Sequence, residues 1–318
     1  MTDQKPFRVV MWCVPRTAST AVAKCLTALD NTQVWFDPYG IAAMQESSLK
    51  MMAVEMPKSW DEFRPQELLT KLGAMVKGTP LEEKFKPELY DTSVWVRDGC
   101  RRQLEALPAG KSVFVKDMAY GVTGHLDLLP SKASGLRHTF LIRDPARMFP
   151  SWRKILIETM KAMPMPGQKP PDEATFDLTT DHPLVRPGMT YKCQYDLWKY
   201  VKENLDPNPV VIDTDDLLAA PAAVLSRYFK ECGMPWDEKL LKWDASADVV
   251  KKWKTLFPLV GTPNDDTIKI SYGKAFASSS FTASAPKIPR SEMTPDVIKA
   301  VDETSAYYNE MAATKIRV

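Results

Sequence analysis

The sequence lacks the features of a metalloprotein, a secreted protein and a membrane protein. Its five cysteines are scattered without CxxC spacing and there are only three histidines, so we expect reduced thiols and no metal site. No apolar run reaches the roughly 18 to 20 residues that span a bilayer, and the opening residues MTDQKPFRVV lack the apolar core of a signal peptide. These absences predict a soluble, cytoplasmic protein.

An excess of charge of one sign is also missing. The 42 lysines and arginines nearly balance the 40 aspartates and glutamates, for a formal net charge of +2. Such a balance does not favour nucleic acid as a partner, so any bound anion should be small and held locally. With 318 residues, 44% of them hydrophobic, the chain can bury a large core, and we expect one domain over residues 1–318.

Glycine is absent from the turn that follows the first apolar run. The stretch VVMWCVPRTAST has no glycine between Val14 and Thr20, whereas the ATPase loop, GxxxxGK[ST], needs two glycines and a lysine. No magnesium-binding aspartate stands out elsewhere. A metal-dependent nucleoside triphosphatase is therefore disfavoured.

Short apolar runs alternate with longer amphipathic segments along the chain. This alternation predicts an α/β fold, in which a parallel sheet is flanked by helices. A methionine-rich, helix-like insertion covers about residues 41–111, and six prolines make residues 159–187 a long irregular loop. The candidate strands are residues 8–14, 33–37, 112–117, 138–144 and 209–215.

Hydroxyl groups and an arginine lie where the first strand turns into a helix, predicted over residues 21–29. The first N–H groups of a helix have no internal partners, and the macrodipole adds partial positive charge there. Ser19 and Thr20 add hydroxyl donors and Arg16 adds a cationic fork, which together suit a phosphate or a sulfate. The alternative is that Ser19 and Thr20 only cap a structural helix.

A second junction, LIRDPARMFPS, has an arginine at a strand end and a serine on the following helix. Asp144 can cap that helix, Pro145 suits its first position, and Pro150 should kink or restart it before Ser151. Because parallel strands end at one edge of a sheet, Arg143 and Ser151 can face one phosphate beside the first turn. Taken alone, Arg143 would more often be a surface ion-pair residue.

These two stretches resemble the P-loop sulfotransferases, which transfer a sulfuryl group from 3′-phosphoadenosine-5′-phosphosulfate (PAPS) to a hydroxyl or an amine. In that family a loop of PK or PR followed by SGTT or GST holds the 5′-phosphosulfate, and a later RxPxxxxxS segment holds the 3′-phosphate. The resemblance implies a P-loop NTPase-like sulfotransferase fold, PAPS as co-substrate, 3′-phosphoadenosine-5′-phosphate (PAP) as product, and no metal. It assigns the 5′ loop to Arg16, Thr17, Ala18, Ser19 and Thr20, and the 3′ site to Arg143 and Ser151.

Two further details bear on the resemblance. Ala18 stands where the family usually has glycine, which leaves less room for the backbone to approach a phosphate. The segment VVIDTDDLLAAPAAVLSRYFKECGMPW resembles a family segment that runs strand, DL, P, helix and LG(I/L)P. The matching motifs therefore cover both ends of a fold of this size.

The resemblance also indicates catalytic groups. Arg16 and Lys116, at the end of the strand SVFVK, would neutralise the charge that develops on the leaving oxygen. Members that sulfate phenols and steroids carry a histidine three residues after the strand-end lysine, where this chain has Ala119. A carboxylate-base branch uses a Glu-Pro pair after the second strand, so Asp37 is the predicted general base and Asp117 its reserve. The alternatives are that Asp37 caps a helix and that Lys116 is an ordinary strand-end residue.

The remaining parts of the site have weaker signals. Lys274, in SYGKAF, is the predicted basic lid over the 3′-phosphate, and the methionines of the insertion favour a small, partly apolar, hydroxylated acceptor. The alternatives to a sulfotransferase are a non-catalytic nucleotide-binding or scaffold protein on the same fold, and a P-loop kinase. The aromatic residues available for adenine are Trp152, Tyr191, Tyr195 and Trp198, of which the last three have the helical spacing of core residues.

Overall fold

The computed structural model describes residues 5–79, 82–162, 170–181, 187–256, 259 and 265–318. Its strands form one parallel sheet in the order β2-β3-β1-β4-β5. The predicted α/β class is therefore confirmed, and each predicted strand is present with ends shifted by no more than two residues. The strands are β1 (Arg8–Cys13), β2 (Thr32–Phe36), β3 (Ser112–Met118), β4 (Arg137–Ile142) and β5 (Val210–Asp213).

Helices connect the strands and cover both faces of the sheet. Many of them begin on a proline, which suits the first helical position because the missing N–H would have no acceptor there. In the part of the chain that the structure describes, no helix is both long and apolar enough to cross a membrane. The helices are α1 (Ser19–Thr27), α2 (Pro38–Met51), α3 (Pro65–Val76), α4 (Arg97–Glu105), α5 (Pro145–Ala162), α6 (Pro187–Asn204), α7 (Thr214–Ala219), α8 (Pro221–Cys232), α9 (Asp265–Phe276) and α10 (Pro295–Ala312).

The two long segments between sheet strands differ in structure. Helices α2, α3 and α4 lie in the segment between β2 and β3, where the helical insertion was predicted. Within the predicted proline-rich loop, α5 continues to Ala162 and residues 170–181 form turns, whereas residues 163–169 and 182–186 lie outside the described residues. Helix α5 passes through Pro150 as one element, so it does not restart before Ser151.

The central strand β1 is buried on both of its faces. Val9, Met11 and Cys13 pack in one apolar cluster with side chains of α1 and α8, and Val10 and Trp12 pack in another with side chains of α2, α4 and α6. Successive side chains of a strand point to opposite faces, and residues 9–13 of β1, which are buried on both faces, are all apolar.

The strand register brings several loop starts to one edge of the sheet. Cys13, the last residue of β1, pairs with Met118 of β3 and Leu141 of β4, and Phe36 at the end of β2 pairs with Lys116. Parallel strands all point the same way, so the residues that follow these ends lie side by side. Open parallel sheets bind ligands at this edge.

Candidate active site

The turn after β1, residues 14–20, forms what we call the cradle. The buried Thr17 hydroxyl donates to the Val14 carbonyl at 2.9 Å, and Arg16 and Ala18 adopt left-handed φ angles of 65° and 58°. Left-handed residues alternating with others turn successive N–H groups toward one side. The N–H groups of residues 17–20 have no acceptor among the described residues, so the cradle presents free donors that suit an anion.

The hydroxyl residues of the cradle do not cap α1. The helix begins at Ser19, two residues earlier than predicted, and its N-cap residue is Ala18, which has no side-chain oxygen. Ser19 and Thr20 form the buried first turn. The alternative that these two residues serve only as an N-cap is therefore wrong.

The arginine of the second junction lies against the cradle. Arg143 Nη1 donates to the Arg16 carbonyl oxygen, and Arg16 Nε donates to Ser151 Oγ at 3.2 Å. Arg16 and Ser151 are 135 positions apart, and they meet because β1 and β4 are neighbouring strands. The structure thus brings Arg16, Arg143 and Ser151 around one point.

Both arginines are partly buried cations. Burial lowers the pKa of both, and the charge of Arg143 lowers the pKa of Arg16 further. Neither arginine forms an ion pair with a carboxylate of the described residues. Of the neighbouring carboxylates, Asp144 pairs with Lys287 at 2.6 Å, and Asp215 pairs with Arg147 at 3.1 Å. Arg143 Nε is also buried without a partner among the described residues. Partly desolvated cations, a buried donor without a partner among the described residues and unpaired N–H groups are the features that suit binding of an anion.

Hydrogen bonds from neighbouring elements hold the second junction and the cradle in place. Asp144 Oδ1 accepts from the Ala146 N–H at 2.8 Å, so the predicted cap of α5 is present. Tyr191 donates its hydroxyl to the Arg143 carbonyl at 2.6 Å, and the Thr214 hydroxyl lies 3.0 Å from the Thr17 carbonyl oxygen. Thr214 was not among the site residues predicted from the sequence, although it lies within the predicted strand 209–215.

A buried ion pair lies at the same edge of the sheet. Lys116 Nζ donates to both Asp37 oxygens, at 2.8 and 2.7 Å, and the two side chains are 0% and 4% exposed. Burial raises the pKa of the Asp37 carboxyl, although Lys116 opposes this effect. Burial disfavours the charged lysine, yet Asp37 keeps the pKa of Lys116 raised. The pair therefore combines a charged lysine with a carboxylate that is more basic than an exposed one, and Lys116 is not an ordinary strand-end residue.

Asp37 precedes α2 but does not cap it. Its φ is 52°, and its side chain makes no cap hydrogen bond. Asp117 caps α2 instead, because its two oxygens accept from the N–H groups of Tyr39 and Gly40 at 2.8 Å each. The capping alternative for Asp37 is therefore wrong. The oxygens of Asp117, the reserve base, accept from backbone N–H groups, whereas both oxygens of Asp37 are held by a side chain, Lys116.

Helix α9 contacts both the cradle and the Asp37–Lys116 pair. The Ser271 carbonyl accepts from Arg16 Nη1 at 3.0 Å, and the Tyr272 ring centre is 6.0 Å from Lys116 Nζ. The sequence indicated Lys274 in this segment but did not predict a helix there. Lys274 is exposed on the same helix, whereas Lys287 contacts the residue next to Arg143. Lys287 is thus a cation near Arg143 that the sequence analysis did not select.

The aromatic residues considered for adenine are largely core residues. Trp152, Tyr191 and Trp198 are 5%, 1% and 4% exposed and belong to apolar clusters, and Tyr195 donates its hydroxyl to Glu310 at 2.7 Å.

Among the described residues, no group of three or more His, Cys, Asp or Glu side chains is arranged to hold a metal ion.

Comparisons with known proteins find similarity to solved structures alone. No family model and no curated protein matches the chain. A sulfotransferase domain from the curacin biosynthetic pathway is 14% identical, with 95% of this chain and 99% of that chain covered and a TM-score of 0.44. A mouse sulfotransferase, SULT7A1, solved with PAP, is 12% identical, with 97% and 88% covered and a TM-score of 0.46. Retinol dehydratase in a complex with retinol and PAP is also 12% identical, with 99% and 84% covered and a TM-score of 0.41. The first two are sulfotransferases by name, the family that the sequence motifs indicated.

Proposed function

We propose that this chain is a sulfotransferase that takes the sulfuryl group from PAPS and transfers it to a hydroxyl of a small, partly apolar molecule. The observation that supports this most is the contact of Arg143 with the cradle backbone while Arg16 reaches Ser151. Two cations without carboxylate partners among the described residues then face a turn of free N–H groups. An adenosine with phosphates at both its 5′ and 3′ positions would neutralise both.

The residues present fit such a nucleotide. The cradle and Arg16 would hold the 5′-phosphosulfate, and Arg143 and Ser151 the 3′-phosphate. The buried Arg143 Nε, which has no partner among the described residues, is a donor that a phosphate oxygen would satisfy. Lys287 lies 2.6 Å from Asp144 and 49% of its side chain is exposed, so it can exchange that partner for the phosphate more readily than a buried cation. Lys274 stays the alternative that the sequence indicated.

The proposed reaction is an in-line displacement at sulfur. A bond forms between the acceptor oxygen and sulfur while the bond from sulfur to the 5′-phosphate oxygen breaks, and its electron pair stays on that oxygen. The acceptor proton passes to the Asp37 carboxylate, whose raised pKa makes it a better base near neutral pH. Lys116 and Arg16 oppose the negative charge that develops on the leaving oxygen.

The first test is binding of PAP, measured by titration calorimetry without magnesium. Arg143→Ala should weaken binding by about 10- to 100-fold, because a buried charge-assisted hydrogen bond is lost. Arg227→Ala is the matched control and should bind normally, since Arg227 is half exposed and pairs with Glu231 on the same helix. Absence of PAP binding, or binding of ATP only with magnesium, would exclude the proposed function.

A non-catalytic nucleotide-binding protein is the second candidate, because Lys116 already engages both oxygens of Asp37. Turnover of PAPS with a panel of alcohols separates the two candidates. In the enzyme, Asp37→Asn should lower kcat by about 100-fold or more and leave PAP binding within a few-fold. A protein that binds PAP but transfers no sulfuryl group to any alcohol would support the non-catalytic candidate.

A further inference from the structure

Two consecutive residues of α9 connect the cradle to the Asp37–Lys116 pair. The Ser271 carbonyl oxygen is 3.0 Å from Arg16 Nη1, on the side of the cradle. The Tyr272 ring lies near Lys116 of the pair, with its centre 6.0 Å from Lys116 Nζ, and makes an edge contact with the Phe36 ring at 5.2 Å. Consecutive residues of α9 therefore contact the arginine of the cradle and the lysine of the Asp37–Lys116 pair.

Helix α9 is tied to the helix that the cradle begins. Lys24 of α1 is only 1% exposed, and its ammonium donates to the carbonyl oxygens of Phe276 and Ser278, the latter at 2.9 Å. The Phe276 ring in turn stacks on Tyr272, with 5.9 Å between ring centres. The Ser246 carbonyl oxygen is a third acceptor, at 3.4 Å, so the buried cation is held by backbone carbonyls at and just beyond the C-terminus of α9 and by one from another segment, a costly arrangement. It sets the position of Tyr272 relative to the cradle.

The Tyr272 hydroxyl is available as a donor. It makes no hydrogen bond to any of the described residues, although the ring is packed among Phe36, Phe276 and Lys116. Burial raises the pKa of Tyr272 to about 12, with Asp37 adding to the rise and Lys116 and Arg16 opposing it. The phenol therefore keeps its proton near neutral pH. The charges that act on the phenol thus come both from the Asp37–Lys116 pair and from Arg16 of the cradle.

We propose that Tyr272 is a further catalytic residue, whose hydroxyl donates a hydrogen bond to an oxygen of the sulfuryl group as it moves from the cradle to the acceptor. This inference rests on the proposed function. Tyr272 neither gains nor loses its proton in the step, since the acceptor proton goes to Asp37. Lys24 is a positioning residue that acts through α9.

The direct test is Tyr272→Phe, which removes one oxygen and keeps the ring. We expect kcat to fall by about 10- to 100-fold, somewhat less than the loss of a full oxyanion-hole donor. The Kd for PAP, measured by calorimetry, should change by less than about threefold, because PAP has no sulfuryl group to receive the bond. Tyr200→Phe, a partly buried tyrosine of α6, is the matched control and should keep the wild-type kcat.

A second variant tests the role of α9. Lys24→Met should speed amide hydrogen exchange over residues 268–276 and lower kcat, and it should add little further loss of kcat to Tyr272→Phe. If Tyr272→Phe keeps kcat within about twofold, or loses PAP affinity as much as kcat, the role of Tyr272 is refuted. If the wild-type protein neither binds PAP nor transfers a sulfuryl group, the proposed function fails, and the role of Tyr272 fails with it.

Discussion

Ala18 holds a backbone conformation that alanine tolerates poorly. Its φ of 58° and ψ of 14° lie in the left-handed region, which costs a residue with a Cβ about 1–2 kcal/mol. Such strain persists where the surrounding structure requires it, and functional sites are where it concentrates. Here the requirement comes from the sharp passage from β1 into α1, which turns the N–H groups of the cradle to one side.

Replacing Ala18 by glycine should relieve this strain. We expect Ala18→Gly to raise the free energy of unfolding by up to about 1 kcal/mol, because the relief exceeds the entropy that glycine loses on folding. Urea unfolding measures the change. The control is Ala306→Gly in the exposed middle of α10, which should lower the free energy of unfolding by about 1 kcal/mol. Equal losses in both variants would show that residue 18 is not left-handed.

The sequence indicated the arrangement of single residues of the candidate site to unequal degrees. Arg16, Arg143 and Ser151 could be selected because residue type and position at a strand end are local properties. The orientation of Asp37 could not be predicted. Its left-handed φ turns the carboxylate toward Lys116, a partner 79 positions away that neighbouring residues do not specify.

At the scale of elements, the start of α2 depends on a distant side chain. Asp117 lies 78 positions from Tyr39, yet it accepts the hydrogen bonds of the first N–H groups of α2. It also accepts from the Met118 N–H at 2.8 Å. The carboxylate thereby joins the end of β3 to the beginning of α2, on the side of the Asp37–Lys116 pair.

Asp117→Asn should therefore destabilise the fold. We expect the free energy of unfolding to fall by about 1–2 kcal/mol, because one carboxylate oxygen becomes an NH₂ group that faces backbone donors. Denaturant unfolding measures this free energy. Asp127→Asn, an exposed position, should change it by less than about 0.5 kcal/mol. A loss at Asp117 no larger than that of the control would mean that the cap contributes nothing.

Element prediction succeeded where the signals were local. The helix Pro221–Cys232 lies where the segment resemblance placed a helix, with a proline at its start and Gly233 after its end. Helix α9 was not predicted, because Gly273 and the serines that follow it favour irregular structure. Its helical form is stabilised instead by packing, in which Ile268 and Phe276 join the apolar cluster that contains α1.

At the scale of the whole molecule, a buried histidine links folding to pH. His138 lies in β4, is 2% exposed, and accepts at Nδ1 a hydrogen bond of 3.0 Å from Trp12 Nε1. Burial lowers the pKa of His138 from its usual 6.5 to about 4. The unfolded chain therefore binds a proton near pH 6.5, whereas the folded chain does not until about pH 4. Acid thus favours the unfolded state over this range.

Stability should fall as the pH is lowered through this window. We expect the contribution of His138 to the free energy of unfolding to drop by about 2 kcal/mol between pH 7 and pH 5. Urea unfolding at several pH values, compared between wild type and His138→Gln, isolates this contribution. His125→Gln, at a partly exposed residue, should keep most of the pH dependence. An unchanged pH slope in His138→Gln would show that His138 is not the group responsible.

The sequence by itself determined the parallel α/β sheet, the place of every strand and the residue types at the strand ends, because hydrophobic period and turn chemistry act over a few neighbouring residues. Only the tertiary structure decided that Arg143 contacts Arg16, that Asp117 rather than Asp37 caps α2, and that Tyr272 lies beside Lys116. Each of these contacts joins residues more than 70 positions apart. They form only once the strands are ordered in the sheet and the helices are packed against it, and no local preference specifies them.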